Sequence, residues 1–192
     1  MAKLKTGTQL FGTLLDSSGD AGTSGQVLSS TGTGTNWISG GGGGATVKYY
    51  CAAGPASDFV LNDTLATVVL NTEVEDSDPG TADFELSSGV VTIKNAGVYV
   101  VSYTLLTDTD ANGDSRSESE GFLRINSSGE LAHSQIIEYN RENPLAAGTG
   151  SKTILYNATA NDTIQIVARR REGSGTIDVL AGQAVLTLYK VS

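Results

Sequence analysis

From Thr46 to Val191 the chain is a succession of short runs rich in Val, Ile, Leu, Thr and Tyr, each ended by turn residues before a helical period can build up. The runs are TVKYYC, TVVLNTEV, GVVTI, GVYVVSYTLL, GFLRIN, AHSQIIEY, KTILYN, DTIQIVARR and AVLTLYKV. Between them NAG, NSSG, NATAND and REGSG supply Asn, Asp and Gly for positive φ and for side-chain-to-backbone bonds. No stretch of about ten residues or more keeps a helical period. The expectation is an all-β chain, an antiparallel jelly-roll sandwich, with His133 inside the strand LAHSQII.

Composition shifts at the glycines 40–44, which cannot hold one conformation and so divide two unlike segments. Residues 1–39 read as an extended anchoring arm, 40–44 as a linker and 45–192 as the jelly-roll trimerisation domain. The arm carries its apolar residues in islands: Leu14 with Leu15, Val27 with Leu28, and Trp37 with Ile38. Burying such a side chain yields about 1.5–3 kcal/mol, less than the cost of ordering the Gly, Ser and Thr between islands. The arm is therefore expected to order only in an oligomer or on a foreign surface, with these six residues as its anchors and Trp37 foremost.

Two strands are apolar on both faces. GVYVVSYTLL sets Tyr99, Val101, Tyr103 and Leu105 against Val98, Val100 and Leu106, the latter beside Ser102 and Thr104. AVLTLYKV sets Val185, Thr187, Tyr189 and Val191 against Leu186, Leu188 and Lys190. A sandwich buries one face of each sheet, so cover on both faces implies self-association. Tyr99, Val101, Tyr103 and Tyr189 are the residues expected at a trimer interface.

The formal net charge of -9 argues against nucleic acid and anionic membrane as partners. Cys51 is the single cysteine, which rules out an intrachain disulfide framework. The first residues, MAKLKTGTQLFG, lack the apolar run of a secretion signal, so synthesis in a cytoplasm is expected. His133 is the single histidine; no nucleophile elbow or phosphate loop occurs. The chain reads as a non-enzyme without a cofactor. One loop invites a metal: Asp108, Asp110, Asn112 and Asp114 follow the first half of a calcium-loop pattern. Its second half fails, because Ser119 stands where the pattern wants Glu. Arg169, Arg170 and Arg171 read as a solvated strand end or as partners for acidic loops of a neighbouring subunit.

FELSSGVVTIKNAGVYVVSY, residues 84–103, resembles the signature of the jelly-roll family that includes the globular head of complement subcomponent q and tumour necrosis factor. The matching positions are Gly89, Val91, Gly97, Tyr99, Val101 and Tyr103, with Val where Phe is usual at 91 and 101. FLRINSSGELA, NATANDTIQIVA and VLAGQAVLTLYKV resemble later family features in order, with Leu180 for Phe. The likeness spans residues 45–192 and implies a compact trimer packed around the inner sheet. Separately, Gly-Gln-Val-Leu-x-Ser-x-Gly-x-Gly-x-x-Trp, carried by residues 25–37, resembles a motif of bacteriophage fibre and virion proteins. Together these imply a homotrimeric capsid decoration protein or short head fibre, held by its arm to the capsid or another virion protein. The alternative is a tail-fibre tip that recognises host surface glycan or protein; a glycan hydrolase is the weakest reading.

Overall fold

The computed structural model describes residues 13–24, 26–30, 32–39, 48–77, 83–109, 116–140, 147–173 and 175–191. The linker glycines 40–44 lie outside them. The described regular structure is strand: β1 (Gln26–Ser30), β2 (Thr35–Ser39), β3 (Tyr49–Gly54), β4 (Phe59–Val60), β5 (Ala66–Thr67), β6 (Thr72–Asp76), β7 (Phe84–Ser87), β8 (Val90–Ile93), β9 (Gly97–Thr109), β10 (Ser117–Ile125), β11 (Ile136–Asn140), β12 (Gly148–Ala158), β13 (Asp162–Gly173) and β14 (Ile177–Lys190). The chain separates into two compact units, Met1–Thr46 and Val47–Ser192.

The second unit is a sandwich of two antiparallel sheets. One runs β11-β10-β13-β8-β7, with β5 also paired to β13; the other runs β12-β9-β14-β3-β6, with β4 also paired to β14. Alternation along the strands sends one side of each sheet into a shared core. Tyr50, Ala52, Tyr99, Val101, Tyr103, Leu105, Leu186 and Leu188 meet Phe84, Val91, Ile93, Leu123, Ile164 and Ile166 there. The core tyrosines keep their hydroxyls bonded: Tyr99 donates to the Asn95 carbonyl at 2.8 Å, and Tyr103 to the carbonyls of Gly121 at 2.8 Å and Ser134 at 2.5 Å.

Two expected strands are corrected. TVVLNTEV is not one strand, because the chain changes sheets within it: the Val68 amide bonds Ile166 of one sheet at 2.9 Å, and the Asn71 amide bonds Ala53 of the other at 3.0 Å. The crossing backbone runs so close to Gly89 (φ +80) that a Cβ there would lie 2.8 Å from Val69 Cα, so glycine is required for space and for conformation. His133 is not in a strand either. It is exposed in a turn at φ 65, and β11 begins only at Ile136.

Candidate functional site

The outer side of the β12-β9-β14-β3-β6 sheet presents a continuous surface. Leu155 pairs with Val100, Val100 with Tyr189, and Tyr189 with Tyr49, giving an apolar row across four strands. The next row is hydroxyl-rich: Thr153, Ser102, Thr187 and Cys51. Ser102 and Thr153 share a hydrogen bond, and Thr187 Oγ1 lies 3.7 Å from Cys51 Sγ. A third row, Thr104, Val185 and Ala53, closes the patch. Leu155 is 72% exposed and Tyr189 46%. The Tyr49 and Tyr189 rings are tilted with centroids 6.2 Å apart, a contact that stiffens one edge of the row.

The interface expectation is thereby corrected for three of its four residues. Tyr99, Val101 and Tyr103 are at most 1% exposed and belong to the chain's own core, whereas Tyr189 stands on the outer side. The physical reason is that a tyrosine can go inside when its hydroxyl reaches a carbonyl at the core margin, while Ser102, Thr104 and Thr187 have hydroxyls that favour the wet side. The alternation is readable in the sequence; the side that faces out is marked by hydroxyl content, not by ring size.

The core is not uniformly apolar. At the end of the sandwich where β11 meets β12, Glu138 is 8% exposed and Asn140 1%. The Thr107 hydroxyl donates to Glu138 Oε2 at 2.7 Å and accepts from Asn140 Nδ2 at 3.0 Å, with Ser119 Oγ 3.3 Å away. Glu138 Oε1 and Asn140 Oδ1 are buried without a hydrogen-bond partner among the described residues. Burial pushes the Glu138 carboxyl above its ordinary range, against the opposing effect of the Thr107 bond. Gly148 and Gly150 of β12 leave the room: a Cβ at 148 would come 2.8 Å from Asn140 Oδ1, and one at 150 would strike Glu138 Oε1. The sequence signal for this cluster was Glu138 at the same parity as Ile136, opposite a Gly-x-Gly strand.

Of the proposed calcium ligands, Asp110, Asn112 and Asp114 lie outside the described residues. Asp108 lies one residue before the end of β9 and pairs across the ladder with Asp178. The arginine run forms ion pairs within the chain: Arg169 with Glu120 at 2.5 Å, Arg171 with Glu118 at 2.6 Å and Arg170 with Asp63 at 2.7 Å. Glu120 also accepts from Gln135 Nε2 at 2.7 Å.

In the first unit, β1 and β2 form an antiparallel hairpin with Val27 opposite Ile38 and Leu28 opposite Trp37. The expected arm without structure of its own is corrected here, because hydrogen bonds organise it where apolar burial is scarce. Asp16 Oδ1 accepts from the Ser18 amide at 2.9 Å, the Ser18 hydroxyl at 2.7 Å and the Asp20 amide at 2.9 Å. These bonds hold the Asp16 carboxyl below its ordinary range. Trp37 Nε1 donates to the Asp20 carbonyl at 2.8 Å. Gly22 (φ +67) lies on the indole, where a Cβ would sit 2.5 Å from Cδ2. Leu14, Leu15, Val27 and Ile38 are exposed by 45–51%, while Leu28 and Trp37 are half-buried. Trp37 and its neighbours border a cavity of about 300 Å³, lined by Asp16, Asp20, Thr23, Gln26 and Asn36 among others.

No protein-family model matches the chain, and no curated protein matches it. Solved structures do resemble it. Murine APRIL at pH 8.0 aligns at a TM-score of 0.51 and 12% identity, covering 76% of this chain and 99% of that one. The globular domain of zebrafish complement 1qA aligns at 0.50 and 14%, covering 76% and 97%. Eiger TNF from S. frugiperda aligns at 0.53 and 13%, covering 76% and 92%. At such identities the likeness is one of fold, the all-β jelly roll of tumour necrosis factor and complement subcomponent q.

Proposed function

We propose that the chain is a homotrimeric structural protein of a bacteriophage virion, a capsid decoration protein or short head fibre. In this reading the jelly roll is the assembly module and the N-terminal unit is the docking element. The observation that carries self-association is the outer row Leu155, Val100, Tyr189 and Tyr49, an apolar strip at the middle of a sheet with hydroxyls beside it. The resemblance to a family that trimerises through its inner sheet supports three as the number of copies. The phage reading is supported by the motif at residues 25–37 and by the exposed Leu14, Leu15, Val27 and Ile38 of the same unit.

Sedimentation of the full-length chain tests the assembly. A trimer is expected at micromolar concentration, Val100→Glu is expected to release folded monomers, and a monomeric parent protein overturns the reading. Docking is tested separately by adding purified protein to undecorated particles, where Trp37→Ala is expected to lose binding and remain trimeric. Copy number then separates locations: hundreds of chains per particle support decoration of the capsid, and a handful of trimers moves the protein to a fibre tip.

A further inference from the structure

The cavity of the N-terminal unit carries a charge pattern that its turn does not require. Among the described residues before the linker, Asp16 and Asp20 are the charged side chains, and both line the cavity. Asp16 spends one carboxylate oxygen on the turn, accepting three hydrogen bonds there, and the Trp37 amide also draws on the carboxylate; its Oδ2 has no further hydrogen-bond partner among the described residues, in a residue only 8% exposed. Gln26 Oε1 already accepts from the Thr23 amide at 2.7 Å and the Thr23 hydroxyl at 3.0 Å, which leaves its NH₂ group directed elsewhere. Asn36 adds an exposed amide, and the indole of Trp37 forms an apolar wall. Two carboxylates with no described cation beside them make a cavity of negative potential, and the wall beside them suits methylenes.

From this we infer that the cavity receives a cationic side chain, lysine or arginine, from the protein surface on which the N-terminal unit docks. The inference rests on the docking reading above, and it names the chemistry of the partner: a basic side chain presented by an acceptor protein. The ammonium or guanidinium group lies at Asp20, in the field of the Asp16 carboxylate beneath it, and the aliphatic stem runs along Trp37. A neutral sugar ring would find acceptors here but would leave both carboxylates uncompensated.

Trp37 is the single tryptophan of the chain, so fluorescence of the full-length protein excited at the red edge, where the tyrosines do not absorb, reports on this cavity. The probes are Nα-acetyl-lysine amide and Nα-acetyl-arginine amide, with Nα-acetyl-norleucine amide and N-acetylglucosamine for comparison. The cationic probes are expected to shift the emission with half-saturation on the order of 1 mM, as suits ligands of this size. The response is expected to weaken as salt is raised and to weaken about threefold in Asp20→Asn. Asp20→Asn keeps the backbone carbonyl that holds the indole, and an unchanged near-ultraviolet dichroism band confirms that the unit is intact.

Silence toward the cationic probes overturns the proposal, as does an equal response to norleucine amide or a response to N-acetylglucosamine alone. Tighter probe binding in a variant with Lys3→Ala and Lys5→Ala also overturns it, since the occupant would then be the chain's own N-terminal segment. Loss of particle docking in Trp37→Ala with silent probes removes this inference and leaves the docking reading standing. Failure of docking in the parent protein removes that reading first.

Discussion

The two sides of the β12-β9-β14-β3-β6 sheet both carry large apolar residues, more of them on the inner side, with different chemistry between them. The inner side interleaves aliphatics with tyrosines whose hydroxyls are bonded at the core margin; the outer side interleaves valines and Tyr189 with Ser102, Thr104 and Thr187. What separates a side made for the chain's own core from one made for another surface is therefore where the hydroxyls sit. A buried aromatic hydroxyl spends its donor on groups of the chain itself, whereas a row of aliphatic hydroxyls retains donors and acceptors for water or for a partner.

Substitutions on the two sides should separate accordingly. Leu186→Ala, at 0% exposure on the inner side, is expected to cost about 2–5 kcal/mol in denaturant unfolding. A loss as small as that of a surface change would erase the distinction. Tyr103→Phe keeps the ring and leaves the Gly121 and Ser134 carbonyls short of a donor, so about 1–2 kcal/mol should be lost in the same measurement.

Glu138, on β11 of the facing sheet, breaks the core's apolar rule and gives it a pH dependence. Its carboxyl is raised above the ordinary value of 4.5 by burial, so the folded chain binds this proton more tightly than the unfolded chain does. That contribution is complete below pH 4.5 and disappears as pH rises through the folded value. Glu138→Gln carries no such loss, so its melting temperature should exceed the parent's increasingly as pH rises above 4.5 and through the folded value. Asp162, at the other end of β12, works in the opposite sense. Burial raises its carboxyl, but bonds from Tyr156, Asn126 and the Thr159 amide outweigh that and leave it lowered. Its contribution is present above pH 3.8 and is lost as pH falls, so Asp162→Asn should narrow the difference between neutral and acid stability.

The smallest effect belongs to the outer side. Thr187→Ala should change the stability of a monomeric Val100→Glu background by about 0.5 kcal/mol or less. A larger loss would mean that the hydroxyl row supports the protomer itself.

The strands and turns were legible because period-two alternation and Asn-, Asp- and Gly-rich junctions are local signals. The side each strand buries was less legible. Tyr99, Val101 and Tyr103 outweigh Val98 and Val100 in size, and nothing local announces that Asn95 and Gly121 will supply carbonyls to the rings. The segment from Thr67 to Val74 reads as one strand because a change of sheet leaves no mark in hydropathy. The N-terminal hairpin escaped notice for the reverse reason. Asp16 bonds Ser18 and Asp20, a pattern visible in Asp-Ser-Ser-Gly-Asp as turn chemistry, whereas the apolar islands mark Trp37 and not the carboxylate beside it. Glu138 is hard to read because a charged residue inside a strand looks solvent-facing, and only Gly148 and Gly150 opposite it mark the room it occupies.

The segment that crosses between the sheets has a consequence for motion. By bonding Ile166 through Val68 and Ala53 through Asn71, it ties a central strand of one sheet to an inner strand of the other within a few residues. Opening either sheet there must tear the same strap, so amide protons of β3 and β13 should exchange with solvent through one shared event, and the sandwich should come apart as a unit and not sheet by sheet.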